Sequence, residues 1–439
     1  MNRGATMRIR RKCLPVACAA ALVVVPLHAH AVRIDYAADV GIEHNDNVLM
    51  SSTDPATSSA LRAGFGVVVS EETSTVQANF GGRFEYWNYV NGPQSNALET
   101  SLAGRLNWYL VPEMLSFTVE DSLEMRPIDR FAPDSTNNRQ RVNVLSAGPN
   151  LHFNWNQAVR GRAELRWIDS NAEETDDFES ERISASLHAI RELDPTSSLT
   201  LSARGQEVDF DNDVTARDYR RYDGYLRYQK DLARVSFALD AGYTWVDYAD
   251  GSSTSHPMVR GAGEWRISPR NAISLGVAHQ LTDSSDSSLQ GIGVAVEVPD
   301  RLSTASSAVN ASIYEDDRID LTYAYRHERV GFSVGPYYER VDFVDTGAFD
   351  EIRRGVVMQL SYQLSPTWDL HSFADVARST FTDIDVRTRD ERFGFGVSKT
   401  WTRHWSSRLD YLHYRRSDDG LYGDSRQNVL YLTVTYRNR

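Results

Sequence analysis

Period-two alternation dominates this chain. In residues 98–110, Leu98, Leu102, Leu106, Trp108 and Leu110 share one parity, while Glu99, Ser101, Arg105 and Asn107 share the other. Successive side chains of a strand point to opposite faces, so this pattern gives one apolar and one polar face. A helix would group its apolar residues at spacings of three and four. The pattern returns along the whole sequence. Val159, Ala163, Leu165 and Trp167 oppose Arg160, Arg162, Glu164 and Arg166. Ile319, Leu321, Tyr323 and Tyr325 oppose Asp320, Thr322 and Arg326. Leu430, Leu432, Val434 and Tyr436 close the chain in the same way. Parity slips near Val144-Leu145, which reads as a β-bulge.

The breaks between runs alternate in character. One class is tight: 111–113, 154–157, 194–196, 230–232, 268–270, 315–317, 365–367 and 402–404. The other is longer and rich in Asp, Ser, Asn and Gly: 128–139, 169–180, 210–217, 249–256, 283–303, 330–350, 382–390 and 417–426. Short turns at one end and long loops at the other are the arrangement of an outer-membrane barrel. The runs predict an all-β fold, a single antiparallel up-and-down transmembrane β-barrel of about 18–20 strands. Closure removes the sheet edges that lipid does not tolerate.

The first residues set the compartment. Arg8-Ile9-Arg10-Arg11-Lys12 is a positive segment, Cys13 to Leu27 an apolar one, and Ala29-His30-Ala31 a small-x-small site. Together they predict a signal peptide over 1–31, cut after Ala31, with Sec export and a barrel over 32–439. Cleavage removes Cys13 and Cys18, leaving no thiol for disulfides, zinc-thiolate sites or nucleophilic catalysis. It also removes five basic residues and no acidic ones, taking the net charge from −13 to about −18. So acidic a chain is not expected to bind nucleic acid. The expected location is the Gram-negative outer membrane, with its lipid and lipopolysaccharide as surroundings.

In such a barrel the charged parity faces the lumen, because a basic residue facing lipid at the midplane would cost about 2–4 kcal/mol. The expected pore-lining set is Arg83, Arg105, Arg160, Arg162, Glu164, Arg166, Arg221, Asp223, Arg227, Arg260, Glu264, Arg266 and Arg326. Glu85, Glu120, Arg204, Asp240, Asp320 and Glu328 share that face. The arginine ladders can bind a passing solute through their planar forks, or they can pair with neighbouring carboxylates and keep the wall hydrated. A barrel this wide is expected to hold water.

No enzyme signature emerges. Tyr411-Leu412-His413-Tyr414 with Ser417 lacks a hydrolase spacing. The eleven histidines show no ligand spacing, and no phosphate loop occurs. No catalytic residue, metal or cofactor is therefore assigned. Loop carboxylates at Asp176, Asp177, Asp209, Asp211, Asp213, Asp283 and Asp286 could meet divalent ions without specificity.

The stretch Glu43-His44-Asn45-Asp46-Asn47-Val48 interrupts the first run. Its Asx residues suit a turn beginning near His44. An Asn-Asp-Asn element followed by an apolar residue after the first strand resembles the beta-barrel porin-2 family, which includes EpsL-like outer-membrane proteins encoded with exopolysaccharide systems. The resemblance implies an outer-membrane barrel with a role in secreting or anchoring polysaccharide, and polysaccharide and periplasmic export components as partners. It supplies no catalytic residues. Unlike most such barrels, the chain ends in polar residues beyond Tyr436.

Two functions follow. One is a porin-like channel for polysaccharide or another hydrophilic solute. The other is a structural or receptor barrel with a plugged lumen that binds lipopolysaccharide, glycan or a protein partner. They differ in whether loop 283–303 or loop 330–350, with its Tyr337, Tyr338 and Phe343, folds inward.

Overall fold

The computed structural model describes residues 32–212, 216–292, 308–344, 350–420 and 422–439. The expected signal peptide and Asp213 lie outside them. The first half of the wall contains β1 (Arg33–Asn45), β2 (Ser58–Glu72), β3 (Val76–Asn91), β4 (Ala97–Val111), β5 (Leu115–Arg126), β6 (Gln140–Asn154) and β7 (Val159–Ala172). It continues with β8 (Ser180–Asp194), β9 (Ser197–Phe210), β10 (Tyr219–Asp231), β11 (Val235–Tyr248), β12 (Ser253–Ser268) and β13 (Asn271–Thr282). After a short helix, α1 (Ser284–Gln290), come β14 (Tyr314–Arg326), β15 (Val330–Phe343), β16 (Glu351–Ser365) and β17 (Trp368–Phe381). β18 (Val386–Thr400), β19 (Trp405–Asp418) and β20 (Ser425–Arg437) complete it.

Each strand pairs antiparallel with its sequence neighbours in one 20-stranded sheet. β1 closes on β20 in a register from Ala37↔Arg437 to Asn45↔Val429. The sheet is thus a closed up-and-down barrel, at the upper end of the expected strand number. Connections of two to four residues lie at one end. Those at the other run from four residues to more than twenty, the expected loops 249–256 and 382–390 shrinking to the four-residue turns 249–252 and 382–385 because β12 and β18 begin earlier.

Alternation sorts the faces as expected. Leu98, Leu165, Leu201, Leu239, Phe395 and Leu432 are exposed on the outer face. Trp108, Trp155, Trp265, Trp368, Trp401 and Trp405 are exposed near the short-turn end, and the ring of Tyr436 packs edge-on against Trp405. This concentration of indoles makes one girdle denser than the other, where Trp167 and Trp245 stand.

Four more local expectations change. The slip near Val144-Leu145 is not a bulge, because β6 keeps one register on β7 through Val144↔Ser170 and Leu145↔Asp169. Val142 and Val144 are instead apolar residues on the inner face, buried with Ile168, Ala172 and Phe178 against Val309 and Leu289. Glu315, Asp316 and Asp317 are no turn but part of β14. The turn is 327–329, so 330–343 is strand β15 and only 344–350 is loop. Lastly, β1 runs through His44 to Asn45, two residues beyond the alternating apolar run.

The Asx element seals the seam. Asn45 Oδ1 accepts from the Asn47 amide, an Asx turn. Asn47 Nδ2 donates to the carbonyls of Ser51 at 2.8 Å and Arg426 at 2.9 Å, while its Oδ1 accepts from the Ser51 amide. Asp46 Oδ1 and Oδ2 accept from the backbone and side-chain amides of Asn428. Three consecutive side chains therefore both turn the chain and clasp β1 to β20. Asn47→Ala is expected to cost about 1–3 kcal/mol, since the buried Asn47 side chain satisfies two carbonyls and one amide that would lose their partner. A lower urea midpoint for the folded barrel would confirm it, and an unchanged midpoint would remove Asn47 from the clasp.

Candidate functional site

The inner face carries the charge. Arg83 is fully buried between Asp39 at 2.5 Å and Glu85 at 2.6 Å, and Arg62 bridges the same two carboxylates. Gly64 makes room for them: a Cβ there would lie 2.3 Å from Asp39 Oδ2 and 2.4 Å from Arg83 Nη2. Toward the short-turn end the ladders are paired and wetter. Arg105 meets Glu120, and Arg160 meets Glu192. Arg162 and Arg166 share Glu164, to which His188 also turns. Arg227 and Arg260 share Asp240, and Arg266 meets Glu264. Arg326 ends β14 beside the 327–329 turn, its amide donating to the Arg270 carbonyl. These contacts are the wall-pairing arrangement of the arginine ladders.

Two connections from the long-loop end turn onto this inner face. The first follows β13. Asp283 caps α1 by accepting from the Ser285 and Asp286 amides, and it meets Arg182 at 2.8 Å and the Tyr219 hydroxyl at 3.1 Å. Asp286 bridges Arg204 at 3.0 Å and Arg221 at 3.2 Å, and Arg221 also holds Asp223. Ser288 accepts from Arg126 and donates to Glu124, and Ser285 meets Ser170. The helix is thus a polar, serine-rich plug matched to arginines on β5, β8, β9 and β10. Apolar packing flanks it: Leu281 and Ile313 are buried with Val208, Phe210, Tyr219, Val246 and Tyr248.

The second connection, 127–139 after β5, reaches the opposite wall. Arg130 pairs with Glu351 on β16 at 2.6 Å and stands over the rings of Phe343 and Phe381. Phe131 packs edge-on against Phe381 with centroids 4.7 Å apart. Asp134 joins Arg139 to Arg392 on β18, and Tyr422 donates to Asp129. The long-loop end of the lumen therefore holds packed side chains, and not water alone, because both connections bring in apolar residues and counter-charges for the wall.

Burial works against both anchoring carboxylates. Even so, Arg139 and Arg392 hold Asp134, and Arg204, Arg221 and Arg182 hold Asp286, below the ordinary carboxylate range. A depressed folded pKa gives stability that is full above the unfolded value, about 3.9, and is lost as pH falls through the folded value. Both anchors should stay docked from neutral pH down to about pH 4 and loosen below it. Conductance recorded against pH checks this; opening on mild acidification toward about pH 6 would contradict it.

Below the plug, β14–β17 line a cavity of about 620 Å³ with Arg318, Asp320, Tyr337, Glu339, Arg353 and Asp375 among its walls. Asp320, expected on the charged face, is among these walls. Tyr337 stands in this strand wall and not in a loop, and Phe343 takes part in anchoring Arg130. Tyr338, by contrast, is 40% exposed on the outer face. Ser417 lies in β19, and His413 is engaged by Asn428. The register also gathers His256, His279 and Glu315, which no sequence spacing revealed.

No family model matches the chain, so the likeness carried by Asn45-Asp46-Asn47-Val48 remains a resemblance. No curated protein matches it either. Among solved structures it is similar to the FrpB iron transporter from Neisseria meningitidis, at 9% identity over 92% of this chain and 81% of that one, with a TM-score of 0.43. A mutant of the ferric enterobactin receptor from Pseudomonas aeruginosa gives 10% identity, 93% and 81% coverage and a TM-score of 0.46. OccK2 from Pseudomonas aeruginosa gives 10%, 92%, 98% and 0.40. At these scores the barrel rests on its own strand pairing, and function on the geometry above.

Proposed function

We propose that this chain is a Gram-negative outer-membrane channel for a hydrophilic solute, with polysaccharide as the favoured class, whose lumen is narrowed by the 127–139 connection and by α1 with its flanking residues. The observation that carries this reading is a charged inner face that continues below the plug into the mixed-charge cavity of β14–β17. An apolar outer face with an indole girdle at one end supports placement in lipid. Passage needs no covalent chemistry: water and solute hydroxyls exchange hydrogen bonds with Arg318, Asp320, Tyr337 and Arg353 along the wall. The pore-lining set named from sequence takes the role of a hydrated, charge-balanced lining. Sec export with cleavage after Ala31, contact with lipopolysaccharide and docking to periplasmic export components belong to the same proposal.

A second reading, a plugged receptor or structural barrel, is favoured by the burial of Asp283 and Asp286 among arginines. Liposome swelling in neutral sugars of increasing size separates the two. A channel admits small sugars and excludes large ones. Exclusion of every sugar, both by the intact protein and by a variant shortened in both connections, would leave only the receptor reading.

A further inference from the structure

The β12–β13 pairing ends early. It runs only to Val259↔His279, while β12 continues along β11 to Ser253 and β13 continues along β14 to Thr282↔Tyr314. Beyond His279 the β13–β14 pair therefore leaves β12, and Leu281 joins the apolar cluster built on β9–β11. In the notch stand three side chains from three strands. His256 Nε2 lies 2.9 Å from His279 Nε2 and 3.2 Å from Glu315 Oε1. Their side chains are 20%, 38% and 28% exposed, half-buried but reachable.

Asp317 Oδ1 lies 2.5 Å from His279 Nδ1 and orients the ring so that its Nε2 meets His256 Nε2. One ligand atom from each of His256, His279 and Glu315, two nitrogens and one oxygen in all, lies within 4.8 Å of the others. Tetrahedral zinc with ligands at about 2.0–2.1 Å would set them about 3.3 Å apart, near the 2.9 and 3.2 Å from His256 Nε2 to its two neighbours. The Asp317–His279 pair is the outer carboxylate contact that metal-bound imidazoles usually have. Two imidazoles and a carboxylate, with no thiolate, suit zinc, nickel or copper over calcium or magnesium.

We propose that His256, His279 and Glu315 form a divalent transition-metal site, oriented by Asp317, that ties β12 to the departing β13–β14 pair. The bound ion would staple the root of the inward segment, which begins four residues after His279 at Asp283. Solvent would complete the coordination. The site stands apart from the channel reading, since a sealed barrel would bind the ion equally well.

The test is calorimetric titration of EDTA-stripped, folded full-length barrel with Zn²⁺, with Co²⁺ absorption as a second readout. We expect one saturable site per chain and a tetrahedral Co²⁺ spectrum. His256→Asn and His279→Asn should abolish both, and Asp317→Asn should weaken binding about 10–100-fold. Asp176→Asn with Asp177→Asn should change nothing. Failure of the wild type to bind saturably overturns the site, as does unchanged affinity in folded Asp317→Asn together with either histidine variant. Should a histidine variant not fold, the Co²⁺ spectrum of wild type against Asp317→Asn decides alone: a tetrahedral spectrum shifted by the substitution supports the site, and its absence refutes it.

Discussion

Asp286→Ala is expected to release the inward segment and widen the lumen while leaving the barrel folded. Arg204 and Arg221 both lose their bridge, with Arg182 close by on Asp283. Breaking one side of a buried ion pair costs about 3–5 kcal/mol, because the remaining charge stays desolvated. A seven-residue helix cannot hold itself together in water, so that loss falls on the docking of α1. The wall keeps its backbone pairing. Chymotrypsin should then cut after Leu289 of α1 in the variant and spare that bond in the wild type, and channel conductance should rise. Equal protection and equal conductance in the two proteins would show that Asp286 is not the anchor.

Arg83→Ala should have the largest effect on the barrel itself. It leaves Asp39 and Glu85 sharing only Arg62 in a network nearly closed to water, at an expected cost of about 3–5 kcal/mol. This network spans β1 to β3, next to the β1–β20 seam. Arg105→Ala removes a pair whose arginine is half exposed, and should cost no more than about 1 kcal/mol. Thermal unfolding followed by the mobility shift of the folded band should separate the two clearly. Similar midpoints would mean that the Arg83 network is no tighter than an exposed pair.

That contrast marks where sequence stops being informative. Arg83 and Arg105 occupy the same parity in neighbouring strands and read alike. Only the approach of β1 and the gap left by Gly64 make one a buried keystone and the other a hydrated pair. Alternation disclosed the barrel, the two faces and the alternating turns because those depend on local spacing. It failed where an inner-face residue is apolar: Val142 and Val144 looked like a slipped register, but they are cover for Val309 and Leu289. It failed again at Glu315–Asp317, whose acidic run resembles a turn while the strand passes a notch in the wall. His256, His279 and Glu315 come from three strands and are joined only by register. An inward turn of loop 283–303 is one of two options in the sequence, and its described part, 283–292, takes it; the reach of 127–139 across to β16–β18 leaves no local sequence signal. Its partners Glu351 and Arg392 lie more than two hundred residues away. The Asx element proved to be a turn, and its second role as a seam clasp needed β20 in view.

Single-channel conductance in planar bilayers tests the central claim most directly. The intact barrel is to be compared with a variant in which residues 284–312 are replaced by a short glycine–serine linker. A narrowed channel predicts small conductance steps for the intact protein and steps several times larger for the variant, with the same barrel fold in both. Identical steps in the two, or a variant as silent as the intact protein, would contradict a lumen gated by the inward segment.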